Sequence, residues 1–255
     1  MKATTLSDKA DFGDVAKNAF EVLAAKEEAM NRKIFVLVCL LLVSASVFAG
    51  DLEDAKAAYE RGDYATAVSK LTTAAKQGNS HAQFNLGVMY FHGDGVSRDQ
   101  DKGVYWFKKA AEQGYAIAQH NLGYMYFSGE GVPKNHKKAL YWRTQAAEQG
   151  YANAQNSLGT MYEKGDGVSR DYKQAVYWYT RAAEQGDEIA QNNLGAMYHN
   201  GEGVTRNPIE AYKWFMLAAA LGDKNARKNL AMAERQMTPE QIAEGKRLAS
   251  EWKAR

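Results

Sequence analysis

The chain has 255 residues and is nearly neutral, with 32 basic and 30 acidic side chains and a formal net charge of +2. That balance supplies no field large enough to hold nucleic acid or an anionic membrane surface. Its single cysteine, Cys39, excludes an internal disulfide and any cysteine-rich metal site.

In chain order, residues 1–29 are an uncertain N-terminal extension. Over Asp14–Glu28, the side chains Val15, Ala19, Phe20, Leu23 and Ala24 fall at helical spacing. Met30-Asn31-Arg32-Lys33 has the form of a start, so a start assigned too far upstream and a cytoplasmic extension both remain open. Residues 30–49 read as a signal peptide. Arg32 and Lys33 precede the apolar run Ile34–Val43, then come Ser44, Ala45 and Ser46, and Val47-Phe48-Ala49 leads to Gly50. The run Ile34–Ala49 is shorter than the ~20 residues that a spanning helix needs. Cleavage after Ala49 would leave a periplasmic or secreted chain with no membrane attachment. Retention would leave an inner-membrane anchor facing the periplasm.

Residues 50–80 read as a capping unit, with Ala55, Ala58 and Tyr59 before Gly62-Asp63-Tyr64, and Ala67, Leu71, Ala74 and Ala75 after it. Beyond it a string is copied in tandem. Asn-Leu-Gly-x-Met-Tyr stands at Asn85–Tyr90, Asn121–Tyr126 and Asn193–Tyr198, and Ser157 opens the copy at Ser157–Tyr162. The glycines Gly87, Gly123, Gly159 and Gly195 are 36 residues apart. Such a period marks one supersecondary unit that buries its apolar face against its neighbours. The units are 81–116, 117–152, 153–188 and 189–224.

Each unit predicts helix–turn–helix. Ala82, Leu86, Gly87, Met89 and Tyr90 share one helical face. Gly93-Asp94-Gly95-Val96 breaks that helix. Asp99, Asn135, Asp171 and Asn207 are N-cap types for the second helix, which carries Trp106, Trp142, Trp178 or Trp214 and ends at glycine, as at Gly114. A column repeated in every unit reads as interlocking core rather than a cofactor box. Residues 225–255 form a C-terminal cap, with Thr238-Pro239-Glu240-Gln241 opening the last helix as a capping box. The fold class expected is all-α, a right-handed α-solenoid of antiparallel helix pairs.

Ala-x-Ala-Gln-x-Asn-Leu-Gly-x-Met-Tyr, then Gly-x-Gly-Val, Ala-x-x-Trp and Ala-Ala-Glu-Gln-Gly resembles the Sel-one-like repeat family, relatives of the tetratricopeptide repeat. Four units match, with Gly103 in place of the alanine at Ala139, Ala175 and Ala211, and Ala220-Leu221 in place of Glu-Gln. The resemblance implies first helices that line a concave groove and a protein or peptide as partner. Some secreted members of the family are associated with β-lactam binding or hydrolysis, but those carry a disulfide in each unit, which this chain lacks.

Residues that differ between units carry the specificity of such a groove. The columns read Phe84, His120, Asn156, Asn192; Val88, Tyr124, Thr160, Ala196; Phe91, Phe127, Glu163, His199; and His92, Ser128, Lys164, Asn200. One end is therefore aromatic and the other polar, and clustered exposed aromatics usually mark a partner. Phe84, Phe91, Tyr124 and Phe127 are expected as the main contacts, with His92 and His120 beside them. Asn85 and Asn121 resemble the asparagine ladder of peptide-binding tetratricopeptide arrays, where an amide donates and accepts at once. The same amides could instead bond neighbouring helices.

No histidine pair has metal-ligand spacing. The Gly-x-Gly turns follow no strand, so they read as turns rather than phosphate cradles. No nucleophile, base and orienting group can be assembled from the sequence. Neither cofactor nor catalysis is expected. The alternatives to a groove-binding module are a cell-wall or β-lactam-related hydrolase, and a spacer recruiting partners by its outer face.

Overall fold

A computed structural model describes residues 50–253. The readings of residues 1–49 as extension and signal peptide lie outside the described residues. Ala55–Arg255 forms one compact unit. Among the described residues every regular element is an α-helix: α1 (residues 50–60), α2 (Tyr64–Lys76), α3 (Ser80–His92), α4 (Gln100–Glu112), α5 (Ala116–Ser128) and α6 (His136–Glu148). They continue as α7 (Ala152–Lys164), α8 (Tyr172–Glu184), α9 (Glu188–Asn200), α10 (Pro208–Leu221), α11 (Lys224–Glu234) and α12 (Pro239–Glu251). Through the series α2 to α11 consecutive helices pack on one another, and α12 packs back on α10, which is the order of a solenoid of helix pairs with a cap.

Local chemistry sets the helix ends. The side chains of Asp99, Asn135, Asp171 and Asn207 accept backbone N–H groups at the starts of α4, α6, α8 and α10. Each first helix stops at a left-handed glycine, as at Gly93 with φ 90°. The Thr238–Gln241 capping box is formed at the start of α12. That helix covers the last pair: an added Cβ on Gly245 would stand 2.7 Å from Tyr212, and Trp252 meets Trp214 edge-on at 6.0 Å.

The period-defining glycines are contact points. A Cβ on Gly87 would lie 2.9 Å from Phe107, on Gly123 2.8 Å from Arg143, and on Gly159 and Gly195 2.7 Å from Tyr179 and Phe215. The side chain seated on the glycine is thus the one after the tryptophan. Trp178 and Trp214 are buried core, whereas Trp106 and Trp142 are half-buried under Tyr105 and Tyr141.

A buried glutamine links each unit to the previous one. The Nε2 atoms of Gln83, Gln119, Gln155 and Gln191 donate to the carbonyls of Ala75, Ala111, Ala147 and Ala183. The Oε1 atoms of Gln83, Gln119 and Gln155 accept from Gln113, Gln149 and Gln185 at 2.6–2.7 Å. In the last unit Leu221 stands where that donor should be, and Gln191 Oε1 is buried with no partner. Leu221→Gln is expected to fill the gap and stabilise the chain by about 1 kcal/mol, a rise in Tm of roughly 2–4 °C. Thermal unfolding reads it, and an unchanged Tm would mean the amide oxygen is already satisfied by water.

Candidate functional site

One column expected to face the groove instead meets the second helix of its own unit. Phe91 packs on Phe107 at 6.1 Å between ring centroids, and the Arg143 guanidinium lies over the Phe127 ring at 4.7 Å. Glu163 accepts the Tyr179 hydroxyl, and His199 faces Phe215 at 6.5 Å. Both partners change from unit to unit while remaining matched: ring on ring, cation on ring, phenol on carboxylate, imidazole on ring. Burial and the bond to Glu163 hold the Tyr179 hydroxyl well above the usual phenol range.

Phe91 accordingly corrects the expectation of an exposed contact. It is 8% exposed and belongs to the core with Val104, Phe107 and Met125. Its variable column suggested the groove, but α3 and α4 pack closely at this point: an added Cβ on Gly103 would stand 3.0 Å from the Phe91 Cβ. The alanine found at the same place in the other units would press on the α3 backbone there.

A cleft of about 210 Å³ opens between the first two full units. Phe84, Val88 and His92 line it from α3, with the edges of Phe91 and Phe107. Asn121, Tyr124 and Met125 close it from α5, and Glu130 stands at its rim. Of the expected contacts, Phe84, Phe91, His92, Asn121 and Tyr124 therefore meet in one place; Asn85, His120 and Phe127 are outside its lining. Tyr124 is 49% exposed and offers the largest free apolar face there. Phe84 is half-buried between Phe107 and Tyr115, with centroids at 5.5 Å to each.

The asparagine column splits in two. Asn85 is exposed, and Asn121 donates to the Ile117 carbonyl of its own helix. Asn193 donates to Asn156 and Asn229 to Asn192, so at the polar end amides pair across adjacent units. The amides thus pair between units at the polar end, while at the aromatic end Asn121 is turned onto its own helix and Asn85 is exposed.

Beside the cleft, Arg143 and His120 form a second polar centre. Arg143 is 6% exposed and its Nε has no partner; His120 Nδ1 is also buried and unpartnered. Burial, followed by the nearby Arg143 charge, holds His120 down to about 4, so the ring is neutral at pH 7. Burial also lowers the Arg143 guanidinium from its ordinary value, opposed by Asp166 and Tyr124. Among the described residues, no group of histidine, cysteine, aspartate and glutamate is placed to hold a metal ion. No described helix is long and apolar enough to cross a membrane.

Sequence reasoning missed the buried glutamines and the arginine. The signal for the first was present in Ala-x-Ala-Gln, whose glutamine recurs in every unit. The signal for the second was Arg143 standing where other units have Phe107, Tyr179 and Phe215.

A stack of antiparallel helix pairs with a cleft between consecutive first helices defines a tetratricopeptide-type scaffold. The sequence profile of the Sel1 repeat matches residues 80–115, 116–151, 152–187 and 189–223, over half of the chain, and the protein belongs to that family. Sel1 repeat proteins are generally protein-interaction modules. The chain is similar to a Sel1 repeat protein from Oxalobacter formigenes, with 33% identity across 79% of this chain and 85% of that one, at a TM-score of 0.70. It is also similar to c5321, a protective antigen present in uropathogenic Escherichia coli strains and displaying an SLR fold. There the identity is 31%, with 80% of this chain covered and a TM-score of 0.53. The match covers 53% of that antigen, so the chain spans about half its length. No curated protein matches the chain.

Proposed function

We propose that this protein is an exported interaction module that holds a segment of a partner polypeptide in the groove of its first units, with no catalysis of its own. The observation that carries this reading is the cleft between α3 and α5, apolar in its floor and flanked by the exposed ring of Tyr124. An aromatic ring that is solvated in the free protein and stands beside an apolar cleft is the kind of residue that anchors a partner. Phe84, His92 and Asn121 support Tyr124 in the cleft, while Asn85 and His120 extend the contact along the groove. Export rests on the basic flank, apolar run and small residues of 30–49.

Tyr124→Ala tests the groove. Removal of such an anchor is expected to cost about 2 kcal/mol of binding, about thirtyfold in affinity. As an exposed substitution it should leave folding within about 0.5 kcal/mol. The experiment is capture from envelope extract by protein recovered from the producing cell, whose first residue, expected at or near Gly50, is read in the same preparation. Undiminished capture by Tyr124→Ala refutes the groove reading, and an intact upstream terminus refutes signal cleavage.

A second reading has its own observation. Tyr105, Tyr141 and Tyr177 occupy one column of the second helices and are 52%, 56% and 48% exposed. That row supports recruitment by the outer face. Loss of capture in Tyr141→Ala, with Tyr124→Ala unaffected, would favour it.

A further inference from the structure

Arg143 is the one column member whose polar group is left open. Its counterparts Phe107 and Phe215 carry no polar atom, and the Tyr179 hydroxyl is engaged by Glu163 and Thr160. Arg143 is equally deep, at 6% exposed, yet no hydrogen bond or ion pair engages its guanidinium among the described residues. A buried cation without a hydrogen-bonded counter-charge is costly, and packing alone does not require it. An aromatic or aliphatic side chain would fill the same place on Gly123, as Phe107 does on Gly87.

The surroundings point to what completes it. A guanidinium over a ring, as here over Phe127, keeps its N–H donors in plane for a carboxylate fork. The neutral His120 ring, close enough to feel the arginine charge, adds a second unpartnered polar nitrogen. Asp166 lies near Arg143 without pairing to it, and Glu130 stands at the cleft rim. Those two carboxylates repel a dianion such as phosphate about twice as strongly as a single-charged carboxylate. Arg143 is outside the cleft lining but is seated on Gly123, which precedes Tyr124 in the chain, and Tyr124 lines the cleft.

We propose that Arg143 receives the carboxylate of an aspartate or glutamate side chain in the partner segment, a few residues from an apolar side chain seated in the cleft. This rests on the groove reading above. Extended chain advances about 3.3 Å per residue and neighbouring helices stand about 8–10 Å apart, so an acidic residue about three positions from the apolar one reaches from one helix to the next.

The test titrates protein carrying ¹⁵N-labelled arginine with three probes: acetyl-Phe-Ala-Ala-Glu-amide, its glutamine counterpart, and acetyl-Phe-Ala-Ala-Gln with a free C-terminal carboxylate. The Arg143 Nε–Hε resonance is identified by its loss in Arg143→Gln. The glutamate amide is expected to bind at least tenfold tighter than both others and to move that resonance. In Arg143→Gln, still folded by circular dichroism, the preference should vanish. Arg143→Lys, a point charge without the fork, should keep only part of it. Equal binding of all three probes overturns the carboxylate site; if the Met125 methyl resonance shifts with each, the groove reading stands. Tight binding of the free C-terminal probe overturns a side-chain source. Failure of every probe to bind also overturns this site, while the groove itself is decided by Tyr124→Ala capture.

Discussion

Phe91→Ala is expected to destabilise the protein by about 3 kcal/mol or more, the range for truncating a large aromatic side chain in a packed core. Phe91 is 8% exposed and touches the ring of Phe107, and the glycine loop of the next unit closes over it: a Cβ on Gly131 would stand 3.2 Å from its Cε2. The cavity left by alanine cannot collapse from either side without moving the α4 helix or that loop. At roughly 2–4 °C per kcal/mol for a chain of this size, the fall in Tm is about 6–12 °C, read by circular dichroism. Loss of partner capture in this variant would therefore report lost folding as well as lost contact. A Tm within about 2 °C of the parent would place Phe91 on the surface after all.

Gly159→Val should be damaging for the opposite reason. The glycine lies in the middle of α7, where alanine would normally help a helix by about 1 kcal/mol. Here the added Cβ would stand 2.7 Å from two ring carbons of Tyr179. That ring is fully buried and its hydroxyl is held by Glu163 and Thr160, so it cannot swing aside without breaking both bonds. Overpacking of this kind costs about 1–3 kcal/mol, to which the loss of a buried hydroxyl bond adds about 1 kcal/mol or more. Tyr179→Ala in the Gly159→Val background is the check. If steric crowding is the cause, the second substitution should cost less there than in the parent.

Much of this is legible in the sequence alone. The 36-residue spacing of Gly87, Gly123, Gly159 and Gly195 defines the unit because each glycine admits a ring or a guanidinium stem from its own second helix. The N-caps at Asp99, Asn135, Asp171 and Asn207 could be placed because capping is local chemistry. Which variable residues face outward was less legible. Phe91 and Tyr124 sit in columns three residues apart, both plausible on the open face, and only the width of the unit turns the first inward. Gly103 was visible as a departure from alanine, but the close approach of α3 and α4 that it marks was not. Buried glutamines escape sequence reasoning because an amide near a helix start reads as solvated until its carbonyl partner is brought beside it. Arg143 escaped because a cation among aromatics reads as surface.

The amide links run in one sense along the array, each glutamine reaching back to the unit before it, and they stop at Gln191. Arg227 occupies the next place in the series, and Leu221 has removed the other half of the last link. Under tension applied between its ends, such an array has a preferred order of rupture. The α11–α12 segment is held by apolar packing, the Asn229–Asn192 bond and the bond from the Tyr212 hydroxyl to Glu234, without a glutamine link, and should peel away first. The units bearing the cleft lie at the opposite end, behind the links at Gln155 and Gln191. A load carried through the C-terminal segment could then be relieved by yielding there while the grip on a partner is kept.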